Sequence, residues 1–338
     1  MLNWYLQSGR ESDVVISSRI RLARNLTKYP FTTKCRKEDY EAILQEIEHI
    51  TPDLGYGLKF LRLKDMDDIT KMSLVEKHIV SPDFILKKEE IGAILINDEE
   101  NICIMINEED HIRLQVLAAG LELQNAMNLA VEIDEKLNQL LDIAQDDRYG
   151  FLTACPTNVG TGLRASVMVH LPALTVTQNI GKVLEVIGNF GMNIRGTYGE
   201  GTREAGNRYQ ISNKQSLGVS EKEIIKNLNV ITDKIIQQEK TARKYLERDS
   251  MELEDRVYRA FGILGNCKKI SSKEAEQLLS DVKLGTDLGI IKELTDVKVN
   301  KLELYTKPAN LQKRLGKKLE DIERDVKRAE VIKQIIQE

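Results

Sequence analysis

The sequence predicts an α+β protein in which a mostly antiparallel sheet is flanked by helices and followed by an all-helical C-terminal domain. Short β-rich runs alternate with amphipathic helices up to about residue 220, and the β signal disappears beyond that point. No proline occurs between Pro172 and Pro308, which fits long helices in the second part of the chain. We therefore predict two domains, residues 1–245 and residues 246–338.

The strand candidates are short runs rich in β-branched residues, bounded by polar turns. They cover residues 13–17, 91–96, 102–106, 151–154, 165–171 and 193–197. The second and third runs flank the polar stretch 97–101, so they predict a hairpin. Strands joined by hairpins and by single helices are typical of an antiparallel sheet with helices on one face.

The helix candidates show apolar residues at helical spacing, over residues 37–50, 114–141 and 221–247, and the second range is long enough for either one helix or two. The last segment has the strictest spacing, in steps of four and three residues: Leu315, Leu319, Ile322, Val326 and Ala329. This spacing predicts one apolar stripe on one long C-terminal helix.

Composition indicates a soluble globular protein and disfavours nucleic-acid binding. Apolar residues make up 41% of the chain and charged residues 30%, with a formal net charge of -4. The N-terminal residues lack a signal-peptide pattern, and the apolar runs are far shorter than the ~20 residues of a membrane helix. The cysteines lie far apart and form no CxxC pair, which predicts reduced thiols in a cytoplasmic protein: Cys35, Cys103, Cys155 and Cys267.

Two charged segments suggest a site for anions beside a site for a cation. Arg19 and Arg21 alternate along a strand, so their guanidinium groups share one face and could clamp a polyanion. The acidic run 108–110 directly follows an apolar strand, where three carboxylates are costly unless they hold a cation. A solvated strand face and a charged loop are the alternative interpretations.

Two glycine-rich segments follow. Gly160 and Gly162 could let the backbone approach a phosphate, although no Walker A lysine comes after them. The second segment, Arg195–Gly201, combines one arginine and one glutamate with three glycines, and a plain surface loop is its alternative. His170 is either a nucleotide contact or a structural residue of its strand.

These segments together resemble the signature motifs of the phosphagen (guanidino) kinase family. The strings SSRIRLARN, NEEDHIR, CPTNVGTGLRASV and RGTYGE occur in the family's order, and the resemblance covers residues 11–245. It implies a glutamine-synthetase-like catalytic domain that uses ATP to phosphorylate a guanidinium group.

The resemblance also implies roles for individual residues. Glu109 and Glu200 would bind and orient the guanidinium beside Cys155, a substrate-site thiol that could be redox-sensitive. Five arginines would surround the phosphates of ATP: Arg19, Arg21, Arg113, Arg164 and Arg195. Mg²⁺ would bridge the phosphates, with few or no direct protein ligands. The full set of implied nucleotide contacts is Ser17, Ser18, Arg19, Ile20, Arg21, His78, Arg113, Arg164, Ala165, Ser166, Val167, Met168, Arg195, Gly196, Thr197, Tyr198, Gly199 and Glu200.

Two differences from the family indicate which branch of it the chain resembles. The helical domain that precedes the first arginine motif in the family is not expected here, and a helical C-terminal domain is added. Both features are similar to the branch from Gram-positive bacteria that phosphorylates arginine in proteins, whose C-terminal domain binds phosphoarginine through an RDxxRA motif. The matching residues are Arg324, Asp325 and Arg328. The two arginines are four positions apart, so we expect them on one helix face, off the apolar stripe. A solvated, salt-bridged face is the alternative.

The resemblance further implies partners. These are protein substrates with exposed arginine, a heat-shock repressor, a Clp-type protease system, an activator protein and a second copy of the chain. No nucleic acid or membrane partner is expected. Two other functions stay open at this point: a kinase for free arginine or another small guanidino compound, and a non-catalytic adaptor that binds phosphoarginine.

Overall fold

A computed structural model describes residues 3–196 and 205–338 of the chain. Its strands are β1 (Val15–Arg24), β2 (Lys59–Arg62), β3 (Ala93–Ile96), β4 (Ile102–Ile106), β5 (Ile112–Ala119), β6 (Gln145–Asp146), β7 (Gly150–Phe151), β8 (Leu163–His170), β9 (Met192–Gly196) and β10 (Arg208–Asn213).

Eight of these strands form one sheet in the order β2-β3-β4-β5-β1-β8-β10-β9, and β6 and β7 pair separately. Every pairing in the large sheet is antiparallel. The predicted hairpin is β3–β4, with Ile96 opposite Cys103. The predicted fold class, including its antiparallel sheet and its helical C-terminal part, is confirmed.

The helices are α1 (Lys37–Leu54), α2 (Asp68–Glu76), α3 (Pro82–Lys87), α4 (Leu123–Leu140), α5 (Pro172–Val176), α6 (Ile180–Asn189), α7 (Glu221–Leu246), α8 (Ser250–Asn266), α9 (Ser272–Asp287), α10 (Asp296–Tyr305), α11 (Pro308–Leu315) and α12 (Asp321–Gln337). Short 3-10 helices cover Trp4–Leu6, Leu63–Asp65, Ala205–Asn207 and Glu247–Asp249.

One face of the sheet is covered by α1, α4 and α7. Ile20 of β1 is fully buried there with Ile43, Ile133 and Leu228, one from each of these helices. Burying an isoleucine of this kind stabilises the fold by about 1.5–3 kcal/mol. Because side chains alternate along a strand, this packing sends Arg19 and its alternate neighbours to the opposite face.

The C-terminal helices have a hydrophobic core of their own. Leu253, Val257, Leu279 and Ile332 belong to this second cluster, whereas the main cluster ends at Ala242. The two clusters divide in the interval that contains the predicted boundary between residues 245 and 246.

Two helix predictions were wrong. The apolar positions of 114–141 include β5, where they alternate within the sheet, and the helix begins only at Leu123 after Gly120 at φ 68°. The single C-terminal helix is divided, because α11 ends at left-handed Gly316 and α12 begins at Asp321. Ile322 is consequently 77% exposed instead of lying in an apolar stripe. The strand predicted over 151–154 is limited to Phe151, the last residue of β7.

All four cysteines are free thiols. Among the described helices, none has the length and apolar character needed to cross a membrane.

Candidate active site

Four arginine side chains meet on the face of the sheet that α1, α4 and α7 leave uncovered. Arg19 and Arg21 are alternate residues of β1, and Arg21 lies directly opposite Arg164 of β8. Arg113 of β5 lies opposite Ala23, which shares the same face of β1. The register of three neighbouring strands therefore brings together guanidinium groups that are up to 145 positions apart in the sequence.

The guanidinium groups of this cluster are buried and repel one another. Burial and the charges of Arg113 and Arg164 lower the pKa of Arg19 to about 9. Burial and the charges of the three other arginines lower the pKa of Arg21 well below its usual value, and the charge of Glu108 opposes this shift. Arginine normally stays charged in proteins, and these pKa shifts reflect burial first and the mutual repulsion of the arginines second. Such a cluster is suited to a polyanion.

Glu108 is a structural partner of the cluster rather than a ligand of a foreign cation. Its buried carboxylate forms an ion pair with Arg113 and accepts hydrogen bonds from Ser81 Oγ at 2.8 Å and from the backbone N of Glu109 at 2.8 Å. Burial would raise the pKa of Glu108, but the charge of Arg113 and these hydrogen bonds hold it below its usual value.

Glu109 is the exposed carboxylate of the acidic run. Asn158 Nδ2 lies 3.4 Å from its Oε2. The expectation that all three acids hold a foreign cation is corrected: Glu108 is paired with Arg113, and Asp110 is buried in a network of its own. Glu109 remains the acid of this run that faces the cleft.

The Asp110 network fixes the position of the Glu109 loop. Asp110 Oδ1 accepts hydrogen bonds from Asn25 Nδ2 and from the backbone N of Ala154, both at 2.6 Å. His111 Nδ1 accepts from the backbone N of Leu26 at 3.0 Å, and its Nε2 lies 2.9 Å from the carbonyl of Pro30. Nε2 therefore carries the proton of a neutral ring, and burial lowers the pKa of His111. These contacts join the end of β1, the acidic turn and the Cys155 loop.

The Cys155 loop forms the side of the site next to Glu109. Cys155 is partly buried, and its Sγ lies 3.0 Å from Thr157 Oγ1. Gly160 has φ 110°, and a Cβ there would clash with the carbonyl of Ser216. Gly162 has φ 63°, and a Cβ there would lie 2.7 Å from the carbonyl of Ala23. The protein's own backbone therefore requires glycine at both positions, and their approach to a phosphate stays a prediction.

The arginines, Glu109 and Cys155 line one cleft of about 420 Å³. Its lining is Arg19, Arg21, Ala23, Ser81, Glu109, Arg113, Cys155, Thr157, Asn158, Gly162, Arg164 and Gln210. A larger cavity of about 740 Å³ adjoins it and shares Arg19, Arg21, Ser81, Arg113 and Gln210. The arginine cluster thus lies between two connected spaces.

His78 lines the larger cavity, and its role as a nucleotide contact stays a prediction. Gln115 Nε2 donates to the backbone carbonyl of His78 at 3.0 Å, and His78 has φ 60°. Burial, followed by the charges of Lys307, Arg19 and Arg208, lowers the pKa of His78 well below its usual value. The ring is therefore neutral at physiological pH.

The other residues implied as nucleotide contacts in β1 and β8 alternate between the two faces of the sheet. Ser17, Ser166 and Met168 lie on the arginine face, and Ser166 Oγ is 3.4 Å from Arg19 Nε. Four side chains lie on the opposite, core-facing side and cannot touch a nucleotide on the arginine face: Ser18, Ile20, Ala165 and Val167. Ser18 Oγ instead donates to the carbonyl of Gly120 at 2.8 Å.

The backbone of Arg195 and Gly196 belongs to β9, opposite Gln210 and Tyr209. The other implied residues of this segment lie outside the described residues: Thr197, Tyr198, Gly199 and Glu200. His170 is buried far from solvent, and its Nε2 lies 2.8 Å from Ser280 Oγ of α9, so it is a contact between the two parts of the chain.

The implied phosphoarginine residues lie on α12. Arg328 is 1% exposed and donates to the carbonyls of Thr306 at 2.7 Å and Ile270 at 2.6 Å, as well as to Asp325. Arg324 is partly exposed and forms an ion pair with Asp321. The expectation that both arginines lie off the buried face is wrong for Arg328, whereas their binding of phosphoarginine stays a prediction.

Comparisons with known proteins agree with this geometry. The family model for the C-terminal catalytic domain of ATP:guanido phosphotransferases matches residues 41–242, and the model for the C-terminal domain of the protein-arginine kinase McsB matches residues 250–338. A protein-arginine kinase from Halothermothrix orenii is 49% identical over 98% of this chain and 95% of the relative. One from Bacillus subtilis is 45% identical over 98% of this chain and 92% of the relative.

Solved structures of small-guanidine kinases resemble the catalytic part. Lombricine kinase superposes with a TM-score of 0.60 at 26% identity, over 69% of this chain and 68% of that one. The substrate-free duplicated taurocyamine kinase from Schistosoma mansoni gives a TM-score of 0.58 at 29% identity, over 69% of this chain and 35% of that one.

Proposed function

The chain belongs to the ATP:guanido phosphotransferase family and is a guanidino kinase, and on this basis we propose that it phosphorylates arginine side chains in proteins. The observation that supports this most is the arrangement of four arginines and an exposed glutamate around one cleft. The arginines suit the phosphates of ATP, and the carboxylate suits a guanidinium acceptor.

The arginines act on the donor side. Guanidinium groups offer planar, bidentate donors to phosphate oxygens and stay charged as the transition state develops. Phosphoryl transfer depends mostly on positioning and on charge stabilisation. Arg19, Arg21, Arg113 and Arg164 converge from three strands of one sheet, so their positions are fixed before ATP binds.

Glu109 acts on the acceptor side. A guanidinium has a pKa above about 12 and is a poor nucleophile until it is oriented and relieved of a proton. The Glu109 carboxylate would accept that proton as a guanidinium nitrogen forms its bond to the γ-phosphorus. The bond between this phosphorus and the β–γ bridging oxygen breaks at the same time, and the electron pair leaves with ADP. Glu200 stays the proposed second carboxylate.

Mg²⁺ would accompany ATP at this site and would neutralise part of the charge of its phosphates. The site's donors are mainly cationic, and Glu108 is already bound to Arg113. Across residues 3–196 and 205–338, no group of three His, Cys, Asp or Glu side chains is placed to hold a metal. We therefore expect phosphate and water oxygens, rather than side chains, to supply its ligands.

The acceptor class is proposed from two features. Glu109 is exposed, so a guanidinium carried on another protein could reach it. The C-terminal helices match a domain named for protein-arginine kinases, which accounts for residues 250–338. A kinase for free arginine is the second candidate, supported by the structural likeness to kinases of small guanidino compounds.

A competition experiment separates these candidates. The chain is incubated with Mg-ATP and an arginine-rich protein, with or without excess free arginine, and acid-labile phosphate on each acceptor is counted. We expect label on the protein that free arginine barely reduces. Label on free arginine only would contradict the proposal.

The Glu109→Gln variant tests the acceptor carboxylate. We expect its kcat/KM to fall about 10²–10⁴-fold, the range contributed by a general base. Glu90→Gln, an exposed glutamate outside the cleft, is the matched control and should retain activity. Full activity of Glu109→Gln would show that another group receives the proton.

We further propose regulation and partners, supported by the family resemblance. Arg324, Asp325 and Arg328 would bind phosphoarginine, and phosphorylation would direct proteins to a Clp-type protease and inactivate a heat-shock repressor. A homodimer, an activator protein and a cytoplasmic location complete this proposal. Binding of free phosphoarginine that is unchanged in Arg324→Ala would contradict the proposed role of Arg324.

A further inference from the structure

The larger of the two connected cavities is built from both parts of the chain. One side holds Arg19, Arg21 and His78 of the catalytic part. The other side is formed by α9 and by the junction of α10 with α11, through Glu276, Leu279, Lys307 and Pro308 among others. Its volume of about 740 Å³ lies within the roughly 300–1,000 Å³ of small-molecule sites.

The junction of α10 with α11 is held firmly against the catalytic part. The Glu76 carboxylate accepts hydrogen bonds from the backbone N of Ala309 at 2.7 Å and of Asn310 at 2.9 Å, at the start of α11. Ser73 Oγ donates to the side chain of Asn310 at 2.8 Å, in a buried contact. Lys307 Nζ donates to the carbonyl of Glu76 at 2.8 Å.

Helix α9 is also held against the catalytic part by hydrogen bonds. Ser280 Oγ lies 2.8 Å from His170 Nε2 of β8, and Asn207 Nδ2 donates to the same oxygen at 2.8 Å. Both contacts are next to the strands that carry the site. The helical side of the cavity, formed by α9 and the α10–α11 junction, is therefore held in a defined position against the catalytic part.

The geometry of the reaction indicates what this cavity holds. In phosphoryl transfer the attacking and leaving oxygens or nitrogens lie roughly in line through the phosphorus. The acceptor approaches from the smaller cleft, where Glu109 and Cys155 lie. ADP must then depart on the opposite side of the arginine cluster, which is the larger cavity.

The helical wall also supplies suitable chemistry. Glu276 Oε1 is shielded from solvent and accepts no hydrogen bond from the described residues, so an acceptor is available for a ribose hydroxyl or a base amino group. Pro308 adds apolar surface for a base. Lys307 belongs to the same positive field as Arg19, because the charges of both lower the pKa of His78.

We infer that α9 and the α10–α11 junction form the nucleoside wall of the ATP site, with Glu276 and Lys307 as ligand-contacting residues. This inference rests on the proposed function and extends it: ATP is bound between the catalytic and helical parts. The helical part thereby becomes necessary for ATP affinity, in addition to any role of α12.

Calorimetric titration of the full chain with Mg-ATP and with inorganic tripolyphosphate tests this inference. Glu276→Ala should weaken Mg-ATP binding about 10-fold, the order of one hydrogen bond to a charged group, and should change tripolyphosphate binding less than about 2-fold. Glu274→Ala is the matched control, because it removes an exposed glutamate of the same helix that does not line the cavity. It should leave both affinities unchanged.

Lys307→Met provides a second variant that keeps the length of a partly buried side chain. It should weaken Mg-ATP binding by about 10-fold as well, with unfolding curves confirming that each variant is folded. Wild-type affinity for Mg-ATP in both variants would overturn the inference and leave the proposed function intact. Failure of the wild type to bind Mg-ATP would overturn both.

Discussion

Replacing Arg19 with glutamine should stabilise the unliganded protein while it abolishes function. Arg19 lies in a cluster of four guanidinium groups, and burial together with Arg113 and Arg164 lowers its pKa to about 9. Relative to an ordinary arginine this corresponds to roughly 5 kcal/mol of unfavourable interaction, at 1.36 kcal/mol per pKa unit. Solvent and counterions screen such charges, so we expect about 1–3 kcal/mol in the free energy of unfolding.

The pH dependence has a definite sign. A base whose folded pKa is lowered binds fewer protons when folded, so its contribution to stability rises with pH through the interval between the two values. The cost of Arg19 is therefore fully present at neutral pH and should lessen only above about pH 9. Glutamine can still hydrogen-bond to Ser166, which now lies 3.4 Å from Arg19 Nε.

Urea or thermal unfolding with and without Mg-ATP measures this effect. A gain of 1–3 kcal/mol corresponds to roughly 2–4 °C per kcal/mol for a domain of this size. Added Mg-ATP should stabilise the wild type more than the variant, and salt should narrow the difference between the unliganded forms. Arg248→Gln, at an exposed position outside the cluster, is the control. An unliganded Arg19→Gln variant that is less stable than the wild type would refute the reasoning.

Three further predictions follow from other contacts. Glu108→Gln should destabilise the protein by about 1–3 kcal/mol, because it leaves Arg113 without a buried counter-ion. The pKa of Glu108 is lowered in the folded protein, so its ionised carboxylate stabilises the wild type at pH values above the ordinary glutamate pKa. This stabilisation should be lost as the pH falls through the lowered pKa. Acid unfolding of the wild type and of Glu108→Gln would show the difference. Arg328→Ala should destabilise the helical part by about 2–4 kcal/mol, because the carbonyls of Thr306 and Ile270 lose a buried donor; unfolding followed by hydrogen exchange would detect this, and unchanged protection would contradict it. Cys155→Ser should retain phosphoryl transfer, and its activity should become resistant to thiol-modifying reagents, whereas a fully inactive variant would show that the thiol is required.

The sequence predicted the parts of the site that depend on strand parity and on local motifs. Arg19 and Arg21 alternate within one strand, so their common face follows from the period of two. Glu109 was assigned by motif, and it is the exposed acid of its run, whereas its role stays a prediction. The same parity, applied to Ser18 and Ile20, would have placed their side chains in the core.

The contacts that support the site could not be predicted in this way. Asp110 is satisfied by Asn25 and by the backbone of Ala154, which are 85 and 44 positions away. The pairing of Glu108 with Arg113 depends on the turn between them. The spacing of the residues does not show whether Glu108 binds Arg113 or a foreign cation. Long-range packing decided these cases.

The position of α9 and the α10–α11 junction beside the site could not be predicted from the sequence either. Lys307 and Glu276 occur in stretches that read as ordinary charged helix surface. Their place beside the catalytic sheet results from the docking of α9 and α11, through contacts between residues more than 70 positions apart in sequence, such as that between Asn207 and Ser280. Periodicity describes one helix and carries no information about which surface it will meet.

The central claim is that arginine within proteins is the acceptor. Mass spectrometry under conditions that preserve acid-labile phosphate, applied to an arginine-rich protein after incubation with Mg-ATP, tests it most directly. The proposal predicts phosphate on guanidinium nitrogens with the wild type and its loss with Glu109→Gln. Phosphate found only on free arginine, or on serine, threonine or tyrosine of the protein, would contradict it.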